Sequence, residues 1–260
     1  MRGRIREEDH QAVAVVGTRR LTSYGRQVAE EIARFLARRG ITVVSGLARG
    51  IDGIAHRTAL EAGGRTLAVL GSGLNRVYPP EHRSLARDIC HKGAVLSDYP
   101  LGTPPDGSNF PPRNRIVSGL AKIVVVIEAG QKSGALITAN YAADQGRDVF
   151  AVPGKIYAPK SKGTNFLLKQ GAHPLTAPED ILDVLELTAD GQPEAVQLPL
   201  PSNPTEEEVF EVLGLEALHV DEISSRAGLP IEAVTAALTM MEIKGMVVKS
   251  GSMMYRKAAG

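Results

Sequence analysis

NFPPRNRIVSGLAKIVVVIEAGQKSGALITANYAADQGRDVFAVPG, residues 109–154, is the stretch that decides the fold. The β-branched run 123–127 (IVVVI) suits a strand buried on both faces of a parallel sheet. EAGQKSGALIT comes next. Ser133 fits an N-cap, and the helix it opens runs toward Gly146, placed as a C′ residue. Residues 148–152 then make the next strand. A helix starting where a strand ends offers an anion free backbone N–H groups and a positive dipole end. Lys132 stands just before that start, and Gly134 permits close approach of a ligand. Arg113 and Arg115 precede the strand in a loop stiffened by Pro111 and Pro112. The stretch reads as a phosphate site with several cations aimed at it.

Outward from this stretch, the same alternation recurs. Strands are expected at 12–16, 41–45, 66–70 and near 94–97, with helices at 24–39, 52–62 and 81–91. Residues 98–112 hold five prolines and read as irregular loop. A loop at 153–163 leads to a short helix, 164–170. Strands alternating with helices imply a right-handed, doubly wound, mostly parallel α/β sheet of extended Rossmann type. Domain bounds follow: an α/β domain over 1–187, a Pro-rich linker over 188–204 and a small domain over 205–260. In the last, three helices and a two-residue-turn hairpin centred on Ser250-Gly251 describe a winged helix.

Charge divides the chain. The formal net charge is +1, yet residues 1–173 carry 25 Lys/Arg against 14 Asp/Glu, while 174–242 carry one against 15. A basic body suits a polyanion. The third helix of the small domain holds Glu232 and Glu242 against Lys244 alone, too few cations for a major-groove reader, so a protein contact is the expectation there. No apolar run reaches the ~20 residues of a membrane span, no secretory leader is evident, and the lone Cys90 leaves no internal disulfide; these point to the cytoplasm.

Other chemistries find little support. Gly71-Ser72-Gly73 lacks the third glycine of a dinucleotide fingerprint, since position 76 is Arg76, and neither a Walker A loop nor a GxSxG elbow is present. The histidines show no metal-ligand spacing, and no cofactor is expected. Asp52 and His56 stand four apart on one helix, where an acid–base pair competes with a helix cap beside a surface histidine. What remains is a cationic rim along the C-terminal edge of the sheet: Arg19, Arg113, Arg115, Lys132 and Lys155, with Lys160 and Lys162 as solvated alternatives. Several cations along an edge suit a polymer backbone, and Tyr78, Phe110 and Tyr157 could stack on bases or pack in the core.

GTRRLTSYG (17–25), SGLARGIDGIAH (45–56), LGSGLNRVYPPEH (70–82), FPPRNRIVSGLA (110–121), SGALITANYAADQGRDVFAVPG (133–154) and KGTNFLLKQGA (162–172) together resemble the DNA-processing protein A (DprA/Smf) family. The resemblance covers roughly 12–185, and 205–257 is similar to that family's winged helix. It implies an extended Rossmann fold that binds single-stranded DNA without catalysis, dimerises, and loads the RecA recombinase during natural transformation. It also implies that Arg19 and Lys132 contact the strand, that Ser133 and Gly134 cradle phosphate, and that Arg113 and Asn165 belong to the pocket. Many members carry a small helical domain ahead of this core, whereas about eleven residues precede the first strand here. Two other classes stay open. A nucleotide phosphoribohydrolase-like enzyme would need a carboxylate at the sugar, with Glu128 the candidate; a nucleotide sensor would signal through the acidic domain.

Overall fold

The computed structural model describes residues 1–185, 203–214, 217–244 and 246–257. The chain divides into two compact units, Met1–Glu194 and Ala195–Gly260. Apart from Asn203 and Pro204, the expected linker 188–204 lies outside the described residues.

In the first unit the strands are β1 (Arg2–Gly3), β2 (Val13–Gly17), β3 (Val43–Ser45), β4 (Thr66–Val69), β5 (Ala94–Leu96), β6 (Ile123–Ile127), β7 (Asp148–Ala151) and β8 (His173–Pro174). The helices are α1 (Ser23–Arg38), α2 (Ile51–Glu61), α3 (Arg83–Lys92), α4 (Phe110–Gly119), α5 (Gly134–Asp144), α6 (Lys162–Lys169) and α7 (Asp180–Leu185). The strands form one sheet in the order β1-β5-β4-β3-β2-β6-β7-β8. All neighbours run parallel except β1, which pairs antiparallel with β5 at the edge. This is the expected mostly parallel, doubly wound α/β sheet, with the short edge strand β1 added.

The buried strands alternate between two cores. Val13 and Val15 of β2 and Ile123, Val125 and Ile127 of β6 join the cluster under α1 and α2. Ala14 and Val16 with Val124 and Val126 face the other layer, against α5 and Val117 of α4. A period of two between two covered faces is why IVVVI has no polar residue to spare. Fully burying each such side chain is worth roughly 1.5–3 kcal/mol, so a charge anywhere in β6 would break the sheet's centre.

The proline-rich loop is shorter than expected. It ends at Phe110, where α4 begins, so Arg113 and Arg115 lie on a helix and not in a loop. Pro111 and Pro112 occupy the first turn, where the absent N–H is not needed. From β2 the chain winds outward through β3, β4 and β5, then returns across β2 to start β6 on its other side. The exits of β2 and β6 therefore diverge, and a crevice opens between them.

The second unit holds α8 (Pro204–Val212), β9 (Leu218–His219), α9 (Val220–Ala227), α10 (Ile231–Ile243), β10 (Val247–Gly251) and β11 (Met254–Lys257). The three strands form a sheet in the order β10-β11-β9. Val209, Ile223, Leu238 and Tyr255 close its core. This is the winged-helix arrangement. Its hairpin turns at Ser252–Met253, two residues later than expected, and Gly251 ends β10. No described helix is long and apolar enough to cross a membrane.

Candidate functional site

A cleft of about 670 Å³ occupies the crevice. One wall is the exit of β2, with Gly17, Thr18, Arg19 and Arg20; the opposite wall is Gly130, Lys132, Ser133 and Gly134. Gly46, Asp52, Phe110 and Arg113 are among the other residues that line it. Local sequence explains each wall. Gly17 lies in register with Ile127, and a Cβ there would overlap the Ile127 carbonyl, so only glycine lets β2 end against β6. Gly50, at φ 81°, starts α2 hard against Thr18 and Arg19, where any side chain would collide. Ser133 caps α5: its side chain accepts the Ala135 N–H at 3.3 Å. Gly134 is exposed, with open space where a Cβ would stand.

Arg19 and Lys132 are solvent-exposed on opposite walls. The Arg19 guanidinium lies 5.2 Å from the centre of the Phe110 ring, a cation–π contact that keeps it over the cleft. Phe110 is flanked in turn by Tyr78, whose ring centre is 5.9 Å away. Tyr157 stands apart from this pair, 88% exposed in the loop after β7.

Beneath the cleft lies a second, buried layer of charge. Arg113 is 4% exposed. Its Nη1 donates to the Gly46 carbonyl at 2.8 Å and to the Val69 carbonyl, joining the ends of β3 and β4. Asp52 accepts the Gly46 and Ala48 N–H groups at 3.1 and 3.3 Å. Burial pushes the Asp52 carboxyl up, opposed by the Arg113 charge and these two amides. Burial also draws Arg113 down to about 10, still a cation at neutral pH. His56, expected at the surface, is fully buried: its Nδ1 meets the Thr66 hydroxyl at 2.6 Å, and burial holds its pKa at about 3. Asp52 lines the cleft floor while His56 is buried and does not line it, so the two do not face one ligand as an acid–base pair.

Of the sequence-derived set, Arg19, Arg113, Lys132, Ser133 and Gly134 come together around the cleft. Arg115, Lys155 and Asn165 do not line it. Arg115 points away along α4 and pairs with Asp98 at 2.9 Å. Asn165 braces the loop after β7: its amide accepts from Gly154 N–H at 3.2 Å and donates to Gly154 O at 3.0 Å. Lys155 is exposed one strand farther from the switch point. Thr18 and Arg20 line the cleft but are absent from the sequence-derived set; the signal is there, since both flank Arg19 in GTRR. Glu128, the alternative catalytic carboxylate, is 6% exposed and accepts the N–H of Thr22 at 2.9 Å together with the Thr22 hydroxyl.

Sheet, switch-point cleft and winged helix define a Rossmann-type α/β protein with a cation-lined cleft between the exits of β2 and β6. Residues 1–186 match the family described as DNA recombination-mediator protein A, and 193–251 match the DprA winged helix domain. The chain belongs to the DNA-processing protein A (DprA/Smf) family. It is 42% identical to protein Smf of Escherichia coli over 261 residues, 95% of this chain and 68% of that protein. It is 43% identical to DNA processing protein DprA of Bacillus subtilis over 173 residues, 66% of this chain and 58% of that one. Among solved structures, Streptococcus pneumoniae DprA aligns with a TM-score of 0.65 at 40% identity, covering 70% of this chain and 64% of that chain. DNA processing protein A of Helicobacter pylori, solved for its single-stranded DNA binding mode, aligns with a TM-score of 0.65 at 32% identity, covering 71% and 84%. The chain spans about two thirds of the Escherichia coli and Streptococcus pneumoniae proteins' lengths.

Proposed function

We propose that this protein holds single-stranded DNA in the switch-point cleft and loads RecA recombinase onto it during natural transformation, acting in the cytoplasm as a homodimer and without catalysing a reaction. The observation that carries the reading is that Arg19 and Lys132 line opposite walls of one cleft, with the start of α5 beside Lys132. Two cations and a helix N-terminus favour phosphate. Phe110 at the same wall offers a ring face to a base, which an unpaired strand can present and a duplex cannot. The Helicobacter pylori relative's single-stranded DNA binding mode supports the same choice of ligand.

Arg19, Lys132, Ser133 and Gly134 are the proposed contact residues, and the buried Arg113 adds positive charge from below. Arg115, Lys155 and Asn165 lie outside the cleft and are proposed to contact DNA only where the strand runs beyond it. The phosphoribohydrolase reading is set aside because Glu128 spends its carboxylate on Thr22. A loading assay tests the recombinase step. RecA ATPase is followed on single strands already coated with single-strand binding protein. The expected result is a shortened lag when this protein is added; an unchanged lag would overturn the loading role.

A further inference from the structure

We infer that Glu128 is the positioning residue that sets the spacing of Arg19 and Lys132 across the cleft; this rests on the single-strand reading of that cleft. Glu128 is the first residue after β6, four before Lys132. Its backbone carbonyl accepts the N–H of Thr18 at 2.8 Å. Its carboxylate accepts the N–H of Thr22 at 2.9 Å and, through Oε1, the Thr22 hydroxyl. One buried residue at the end of β6 therefore grips both ends of the span 18–22, and Arg19 lies inside that span.

Three further observations show that the grip is built in. Glu128 has φ 50°, a left-handed conformation that a non-glycine residue adopts only where its surroundings over-determine it. Gly25, one turn into α1, has no room for a Cβ, which would overlap the Glu128 carboxylate. The Thr22 hydroxyl that donates to Glu128 also accepts the Gly25 N–H at 3.1 Å, so the N-cap of α1 and the tie are one network. The far side of the span is fixed too: the Thr18 carbonyl accepts the N–H of Ile51 at the start of α2. Without the carboxylate, Thr22 still caps α1 through the Gly25 and Arg26 N–H groups, but 18–22 is tied to the end of β6 only at Thr18, and the spacing of Arg19 from Lys132 is no longer held at the Thr22 end. Two cations aimed at successive phosphates act together only at the right separation.

The test compares Glu128→Ala and Glu128→Gln with the native chain. Amide exchange of 18–25 is read on the free proteins, and oligo-dT affinity is read across a salt series well below each unfolding midpoint. Glu128→Ala should speed exchange at Thr22, weaken binding on the order of tenfold, and flatten the slope of log K against log salt by about 0.7, the share of one single-strand phosphate contact. Glu128→Gln keeps an acceptor for the Thr22 N–H and should recover most of the slope and affinity. Thr22→Val, which removes the hydroxyl's bond to Glu128 together with its cap on Gly25, should shift the slope in the same direction and covers the case in which Glu128→Ala does not fold. Native affinity and slope in a folded Glu128→Ala would overturn the inference. So would a loss of thermal stability with the slope unchanged, the signature of a merely structural carboxylate. Failure of the native chain itself to bind oligo-dT would instead sink the single-strand reading, while the exchange data still report on the tie.

Discussion

Asp52 and Arg113 grip the same residue from opposite sides: the carboxylate accepts the Gly46 N–H and the guanidinium donates to the Gly46 carbonyl. A Cβ on Gly46 would lie 2.7 Å from Nη2 of Arg113 and 2.8 Å from Oδ2 of Asp52, so the clamp requires glycine. The adjacent Leu47 is forced to φ 56°. The floor of the cleft is thus a braced peptide with buried charge beneath it, against which exposed cations work.

Removing one side of that clamp should be costly. Arg113→Met leaves Asp52 buried without its compensating cation and strands the Gly46 and Val69 carbonyls. The expected loss is about 3–5 kcal/mol, measured by urea unfolding. Arg113→Lys should recover only part of it, because one ammonium cannot reproduce the planar guanidinium. A loss below about 1 kcal/mol in Arg113→Met would show that the clamp contributes little.

The cleft cations should act on binding and not on folding. Arg19→Ala and Lys132→Ala are each expected to weaken oligo-dT binding on the order of tenfold, with unfolding midpoints unchanged, since both side chains are exposed. Each should also reduce the salt slope by about 0.7. Unchanged affinity in both variants would remove the cleft from the account.

The three residues outside the cleft make the complementary case. Arg115→Ala, Lys155→Ala and Asn165→Ala should each change the affinity of a short oligo-dT less than about threefold, since none of the three lines the cleft. Asn165→Ala should instead loosen the loop after β7, read as faster amide exchange at Gly154, whose N–H it holds. A tenfold loss of binding in any of them would extend the site along the sheet edge.

His56 predicts an acid limit to stability. Thr66 gives its hydroxyl hydrogen to the Val43 carbonyl, so His56 donates to it from Nδ1, and burial keeps the ring neutral. Its folded pKa of about 3 lies below its ordinary value of 6.5. The unfolded chain therefore binds a proton that the folded chain refuses, and stability present above pH 6.5 is lost as pH falls toward 3. The slope is about 1.4 kcal/mol per pH unit within that window. Urea unfolding at pH 7.5 and pH 5 should show the loss in the native chain and a smaller one in His56→Gln; equal losses would assign the acid sensitivity elsewhere.

Much of this architecture is legible in the sequence because the centre of the sheet carries its own pattern. IVVVI suits a doubly buried strand and Ser133 fits the cap of a helix after it, and the structure has both. The position of Arg115 is not legible for a specific reason. As loop residues, Arg113 and Arg115 have no defined phase, and both are free to face a ligand. On α4 they stand two apart, about 200° around the axis, so one enters the cleft floor and the other meets Asp98. A count of prolines favours a loop, but Pro111-Pro112 fits a helix's first turn equally well. Asn165 is beyond reach for a similar reason: its bond to Gly154 depends on how α6 packs beside the β7 exit, a tertiary fact. The burial of His56 is also hidden, because an i, i+4 spacing from Asp52 gives a helix face but not what covers it.

The winged-helix unit should be dispensable for the cleft's affinity. Its α10 carries Glu232 and Glu242 exposed, and Lys244 just after it pairs with Glu206 at 2.6 Å. A chain lacking 195–260 is expected to keep oligo-dT affinity within about threefold, since its acidic helices offer phosphate little. A large loss would place strand contacts on the second unit.

The central claim is that the cleft binds a single-stranded polymer and not a lone nucleotide. Fluorescence polarisation of labelled oligo-dT across a salt series, with unlabelled duplex and thymidine monophosphate as competitors, tests it most directly. The expected result is tight binding that falls steeply as salt rises, competed by single strands and poorly by duplex or mononucleotide. Binding that is insensitive to salt, or displaced by the mononucleotide at concentrations comparable to oligo-dT, would contradict it and return the cleft to a one-nucleotide site.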